Sequence, residues 1–549
     1  MRVALAQTNP IIGDLAGNRR AVEAAAQKAQ AAGAVCVVFP ELTLTGYPPM
    51  DLLDREDFVQ EQLRELDALL PLSQRIPLVL GAVLPAEHTE RAKLVNAAVV
   101  LVGGRRSVVQ PKTLLPTYDV FDENRYFVPA ERRKVFILPG TQIIAGLTVC
   151  EDAWAEELAY SANPVAELAR QGARLIFNLS ASPWHVGKAL ERRHMLAALA
   201  RHHGVSIVFV NQVGGNDELI FDGGSAVIDA AGRVRAALPL FEPCVEVVDL
   251  ETPGMNVDPE DVVELSEIEQ LETGLVLGIR DYFRKQKLPP GAVIGLSGGV
   301  DSALTTHLAV LALGAERVLG VAMPGPFSSE HSVADAQALA RNLGIELRCV
   351  DIRPVYDAYR KLFEQLFGFQ DDYEVTQQNI QSRIRGALLM AISNREGRLV
   401  LATGNKSELS IGYCTLYGDT VGGIAVLGDV YKEEVYALAR YANRGGERIP
   451  QRSLGKPPSA ELAPHQLDTD DLPPYPVLDV ILKQLIEGGL SPDAVRLPSG
   501  ATAKTVCEIA VRLDRNEYKR RQAPLVLRTS RKAFGRGRRL PIVHRFKTE

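Results

Sequence analysis

Two groups of residues have types and spacings that could do chemistry. The first is the stretch GLSGGVDSAL, whose Gly295, Leu296, Ser297, Gly298, Gly299, Val300, Asp301 and Ser302 form a small, polar, glycine-rich loop. A Walker-type phosphate loop needs a lysine in the pattern G-x-x-x-x-G-K-[ST]; this loop has neither the lysine nor the spacing. It still lies between an apolar run and a helical pattern, where backbone N–H groups and a helix N-terminus make an anion site. Ser297 and Ser302 add hydroxyl donors. Asp301 would repel a phosphate unless a cation bridged them, so it is a candidate Mg²⁺ ligand. The second group centres on Cys150, which closes an apolar run in GLTVCEDAW. A thiol is mostly protonated at neutral pH and needs a nearby base or cation to act as a nucleophile. Glu41, in FPELTLTGYPPMDLL, and Lys112, in PKTLLPTYDVFDENRYF, each follow a predicted strand and can supply them.

The elements that must position these residues fall into two α/β series. Before residue 250, short apolar runs suit buried strands: Val3–Gln7, Val35–Phe39, Leu78–Leu84, Ala97–Val102, Gly146–Cys150, Leu175–Asn178, Ile207–Asn211 and Ser225–Asp229. Helical patterns lie between them at Asn18–Ala32, with Asn18 as cap, Pro164–Gln171 and Leu190–His203. Residues 251–266 carry prolines and acids and are expected to be a linker between a domain at 1–250 and one at 267–549. A helix is predicted over Glu267–Lys287. A second βαβ series then has strands at Ala292–Leu296, Val318–Met323, Glu346–Asp351 and Leu399–Ala402, with helices at Ser302–Leu313, Ser332–Leu343 and Asn379–Asn394. Such units place ligands at the carboxyl ends of their strands. The proline-rich stretch Arg444–Pro476 is expected to be a long loop, and long loops in compact domains are often lids.

Bulk properties exclude several classes. With 61 basic and 67 acidic residues, the net charge of −6 does not suit a nucleic-acid-binding polycation. The basic run Arg515–Lys547 is interleaved with apolar residues and reads as folded wall, not as a nucleic-acid tail. Six scattered cysteines without a C-x-x-C pair argue against a zinc site or disulfide framework and fit a reducing compartment. His202 and His203 read as a helix surface, with no Cys or Asp neighbour in sequence to make a metal site. No apolar stretch approaches the roughly 20 residues of a membrane span, and no signal peptide is evident. A cytoplasmic chain without membrane contact is expected.

The loop at Gly295–Ser302 resembles the pyrophosphate loop of ATP pyrophosphatases. The segments NIQSRIRG, LVLATGNKSELSIGYCTLYGD, GDVYKEEV, KPPSAEL, DDLPPY and NEYKRRQAP resemble NAD synthetases and cover most of residues 265–549. The motifs around Glu41, Lys112 and Cys150 resemble the Glu–Lys–Cys triad of the nitrilase superfamily, in that family's order. The chain thus resembles the family of glutamine-dependent NAD⁺ synthetases. That resemblance implies a nitrilase-like α-β-β-α sandwich followed by a Rossmann-like adenine nucleotide alpha hydrolase domain with a parallel sheet.

By the same resemblance, Glu41 is general base, Cys150 nucleophile and Lys112 the oxyanion partner. Tyr118, Glu123, Ser182 and Lys188 hold glutamine; Trp154, four residues after Cys150, is placed by its position in the sequence to cover the pocket. Gly295–Ser302, Arg385 and Thr403 hold ATP, the co-substrate. Asn379, Glu408, Lys432 and Lys519 contact deamido-NAD⁺ or its adenylate, and Asp301 and Glu408 ligate Mg²⁺. The implied reaction adenylates deamido-NAD⁺ and amidates it with ammonia released from glutamine and carried between sites by an internal tunnel. A homo-oligomer is also implied. Two rivals stand beside this reading. One is another ATP-pyrophosphatase amidotransferase of the GMP- or asparagine-synthetase kind; Arg2, where the latter has a cysteine, counts against it. The other is a non-catalytic nucleotide-sensing fusion.

Overall fold

The computed structural model describes residues 1–86, 94–252, 254–263, 265–288, 291–368 and 374–546. The chain divides into two units, Met1–Glu267 and Ile268–Glu549.

The first unit is built on two six-stranded sheets. In one, the lateral order is Cys244–Asp249, Arg2–Gln7, Cys36–Val38, Leu78–Pro85, Leu94–Val102, Arg105–Pro111. In the other it is Val234–Ala237, Ala226–Ile228, Ser206–Asn211, Leu175–Ser180, Ile144–Val149, Phe136–Ile137. The central strands of each sheet pair in parallel, and antiparallel strands flank them. Their inner faces meet in a core of Val3, Leu5, Val38, Val79, Val100, Leu147, Phe177 and Val208. Helices Leu15–Ala31 and Glu56–Asp67 cover one outer face, and Pro164–Arg170 and Lys188–His203 the other. This is the α-β-β-α sandwich. Both faces of each sheet are covered, which is why the strands read as continuous apolar runs.

Local details differ from the expectations. The first helix begins at Leu15, and Asp14 is its cap, accepting from Gly17 N. Asn18 lies one turn inside, and its amide tethers the helix to Ile11 and Leu44. Within residues 251–266, Val257 bridges Val234 and the Pro259 carbonyl accepts from Arg193, so this stretch packs on the first unit. Pro253 and Glu264 of that stretch lie outside the described residues.

The second unit holds a six-stranded parallel sheet in the order Glu346–Cys349, Val318–Ala322, Ala292–Gly295, Leu399–Ala402, Ile424–Ala425, Leu525–Val526. The chain winds outward one way from Ala292–Gly295, then returns to its other side at Leu399. The strand order therefore reverses between Ala292–Gly295 and Leu399–Ala402, and open parallel sheets bind ligands at that point. The stretch Arg444–Pro476 is not a plain loop: it contains a short helix, Gln451–Gly455, a 3₁₀ turn, Asp468–Asp470, and the start of helix Tyr475–Ile486. The helix Arg353–Phe367 was also not foreseen. No helix among the described residues is long and apolar enough to cross a membrane, and all six cysteines are free.

Candidate active sites

In the first unit the strand Ile144–Val149 ends one residue before Cys150, which opens a 3₁₀ turn over Cys150–Trp154 with φ of +42°. A non-glycine residue in this region is strained, and such strain clusters at functional sites. The turn is fastened by Asp152, whose carboxylate accepts from Val149 N at 3.0 Å and from Thr113 N and Leu114 N at 2.9 Å each. The last two follow Lys112 directly, so one buried side chain ties the turn at Cys150 to the lysine's segment.

Glu41, Lys112 and Glu123 form a buried charge cluster. Lys112 Nζ donates to Glu41 Oε1 at 2.8 Å and to Glu123 Oε1 at 2.7 Å, and neither Lys112 nor Glu41 is more than 1% exposed. Asn96 Nδ2 and Ala181 N also donate to Glu41, and Tyr47 OH donates to Glu123. Glycine at 81 makes room for this: a Cβ there would lie 2.3 Å from Leu42 N and 2.7 Å from Glu41 Cα. Burial opposes the charge on Lys112, but Glu123 and then Glu41 outweigh it and hold its pKa well above the ordinary lysine value. Burial, then Glu41, pushes the Cys150 thiol up, with Lys112 pulling the other way. The resting thiol is therefore protonated at neutral pH, and a base is needed at the moment of attack.

At the expected amino-acid pocket each named residue has a partner in the structure. Glu123 accepts from Lys112 and Tyr47 within the buried charge cluster. The carboxylate that Tyr118 faces is Glu151, at 2.9 Å, and Tyr160 OH donates to it as well. Lys188 Nζ lies 3.9 Å above the ring of Trp154, which is nearly buried, and donates to Glu191. Ser182 N donates to Asn211 Oδ1. Glu151 and Asp152 were missed in the sequence although both stand in GLTVCEDAW; nothing local says which way a carboxylate beside a cysteine turns.

In the second unit, a cavity of about 270 Å³ opens at the strand-order reversal. The loop from Gly295 to Ser302, all but Gly298, lines it together with Thr403, Glu408 and Lys432. Gly298 has φ of +78°, and a Cβ there would lie 2.7 Å from Ser332 O. Ser302 Oγ accepts from Ser297 N, which tightens the loop. Asn405 caps helix Lys406–Ile411 and donates from Nδ2 to Asp301 Oδ1 at 2.9 Å. Lys432 Nζ sits between Asp301 Oδ2 at 2.5 Å and Glu408 Oε1 at 3.4 Å. Burial pushes the Glu408 carboxyl up despite Lys432. Arg385 donates from Nε to Met323 O, and burial pulls its pKa down to about 10.

Asn379 and Lys519 do not line this cavity. Both hold the segment after helix Lys406–Ile411 instead: Thr415 Oγ1 donates to Asn379 Oδ1, and Lys519 Nζ donates to the Gly412 and Cys414 carbonyls. Lys456 and Glu461, which the sequence reading passed over within KPPSAEL, do line it. Lys456 Nζ donates to Glu461 and to Ser332 Oγ, and Ser332 is the residue packed on Gly298.

Both units match known families. Residues 2–255 match the model of the carbon-nitrogen hydrolase family, and residues 272–523 that of NAD synthase. A protein of Synechocystis sp. named glutamine-dependent NAD(+) synthetase is 44% identical, with 99% of each chain covered. One of the same name from Thermotoga maritima is 41% identical over 100% of this chain and 99% of its own. A solved glutamine-dependent NAD⁺ synthetase of Acinetobacter baumannii, in complex with ADP, is 38% identical, covers 98% of both chains and superposes with a TM-score of 0.77.

Proposed function

This chain belongs to the glutamine-dependent NAD(+) synthetases, and from that premise we propose how its residues divide the work. Glu41 takes the proton of Cys150 as the thiol attacks the glutamine carboxamide. Lys112, held charged between two carboxylates, steadies the tetrahedral oxyanion. Collapse yields a γ-glutamyl thioester and ammonia, and water then releases glutamate. Tyr118, Ser182 and Lys188 bound the pocket for glutamine, and Glu151 offers its α-ammonium group a carboxylate.

In the second unit the Gly295–Ser302 loop and Ser297 and Ser302 hydroxyls bind the ATP phosphates, with Arg385 and Thr403 on the nucleotide side. Asp301 and Glu408 already share one cation, the Lys432 ammonium, and so their carboxylates suit a divalent ion; Mg²⁺ bound there would neutralise the charge of the diphosphate leaving group. Lys432 stays beside them as a second positive group at the developing negative charge. Asn379 and Lys519 shape the deamido-NAD⁺ side through the 412–415 segment. Ammonia attacks the adenylated carboxylate, displacing AMP. Because ammonia is protonated in water, direct transfer between sites is favoured over release. A homo-oligomer in the cytoplasm fits this reading.

The observation that carries the reading is the Lys112 ammonium buried between Glu41 and Glu123 beside a strained Cys150. A buried charge cluster of this kind is weak evidence for stability and needs a chemical reason. The test is NAD⁺ formation from ATP, Mg²⁺ and deamido-NAD⁺, with glutamine or with ammonium, for wild type and Cys150→Ala. The variant should lose glutamine-driven synthesis and keep ammonium-driven synthesis. Loss of both, or of neither, overturns the division of work.

A further inference from the structure

We propose that Glu156, His202 and His203 form a binding site for one divalent transition-metal ion in the first unit. The two histidines end the helix Lys188–His203. Adjacent residues on a helix point roughly 100° apart and do not ordinarily share a partner. Here the two rings stack, with centroids 4.5 Å apart and planes 20° apart, and both turn to one carboxylate. His202 Nδ1 lies 3.1 Å from Glu156 Oε2, and His203 Nε2 lies 2.7 Å from Glu156 Oε1. One ligand atom from each residue falls within 4.8 Å of the others.

The carboxylate is aimed by a fourth residue. Asn163 Nδ2 donates to Glu156 Oε1 at 2.8 Å, while its Oδ1 caps the helix Pro164–Arg170. Outer partners of this kind orient metal ligands. Two imidazoles and a carboxylate suit zinc, nickel, copper or cobalt and not magnesium. With metal–ligand bonds of roughly 2.0–2.2 Å, tetrahedral ligand atoms stand roughly 3.4 Å apart, so the two nitrogen–oxygen contacts, at 3.1 and 2.7 Å, would open by less than about 1 Å to admit an ion. The His202 side chain is 67% exposed and that of His203 13%, which leaves an entry path and coordination positions for water.

The location gives the site a consequence. Glu156 follows Trp154 by two residues, in the segment whose Tyr160 donates to Glu151. The other end of the His-bearing helix places Lys188 over Trp154. An ion held by Glu156 and both histidines would clamp that segment to the helix and stiffen one wall of the pocket.

The test uses the full-length protein, stripped with a chelator and titrated with Co²⁺ in millimolar Mg²⁺, which occupies oxygen-ligand sites. Wild type should bind one Co²⁺ per chain with visible d–d bands and no thiolate charge-transfer band. Losing an outer-shell partner alone costs roughly 10–100-fold in metal affinity, so His202→Ala/His203→Ala should weaken binding at least about a hundredfold. Glu156→Gln, which keeps the shape and removes the charge, should weaken it too. Ammonium-driven NAD⁺ synthesis by the variants should match wild type, showing that they are folded. Equal binding by wild type and variants, a thiolate charge-transfer band or the absence of d–d bands would overturn the proposal.

Discussion

The role of Glu123 can be decided by Glu123→Gln. In the structure its Oε1 receives Lys112 Nζ at 2.7 Å and Tyr47 OH at 2.9 Å. The amide keeps both contacts' shape but removes the charge. Lys112 is then left with Glu41 as its carboxylate partner, so the cluster remains paired and the fold should survive. A hydrogen bond to a charged group contributes about 1.5–3 kcal/mol. If the Glu123 charge acts by holding Lys112 in place for the oxyanion, that energy is lost chiefly in the transition state. At 1.36 kcal/mol per tenfold, kcat for glutamine hydrolysis should fall roughly ten- to a hundredfold, with KM for glutamine little changed. The assay is glutamate release at varied glutamine, beside ammonium-driven NAD⁺ synthesis, which should not move. A large rise in KM with unchanged kcat would refute this reasoning and return Glu123 to the substrate's α-amino group. An equal fall in ammonium-driven synthesis would also refute it.

Other expectations follow from the same geometry. Burial, then Glu41, raises the Cys150 pKa above the ordinary thiol value; the thiolate is therefore scarce at pH 8, and alkylation of Cys150 by iodoacetamide without glutamine should keep accelerating beyond pH 9, read by peptide mass mapping. A plateau near pH 7 would mean the resting thiol is already ionised. Gly298→Ala puts a side chain at φ +78° and 2.7 Å from Ser332 O. The backbone term alone costs roughly 1–2 kcal/mol, so ATP should bind about tenfold more weakly or worse by calorimetry while glutamate release persists. Withholding Mg²⁺ while leaving other ions in place should stop synthesis from ammonium and leave glutamine hydrolysis intact; hydrolysis lost in step would place a Mg²⁺-dependent step in the first unit.

Much of the site was legible because its signals are local. The SGGVDS loop after Ala292–Gly295 and the thiol after Ile144–Val149 each sit at a strand end, and a strand followed by a glycine-rich turn declares itself within ten residues. Thr403 and Glu408 follow the Leu399–Ala402 strand for the same reason. Boundaries slipped where two residues could do one job: Asp14 and Asn18 can both cap, and only the partners across the fold, Ile11 and Leu44, draw Asn18 inside the helix.

By itself the sequence determined the two α/β series and the parallel sheet, and it offered the glycine-rich loop and Glu41, Lys112 and Cys150 as candidates. Tertiary structure alone decided which charges meet. Glu123 pairs with Lys112, Glu151 faces Tyr118, and Lys519 holds the carbonyls of Gly412 and Cys414 instead of lining the cavity. Glu156 reaches His202 and His203 from more than 40 residues away. The physical reason is one of range. Propensity and period act over a few residues, whereas a buried charge takes whichever partner the packed sheets bring within about 3 Å, and no spacing in the chain records that distance.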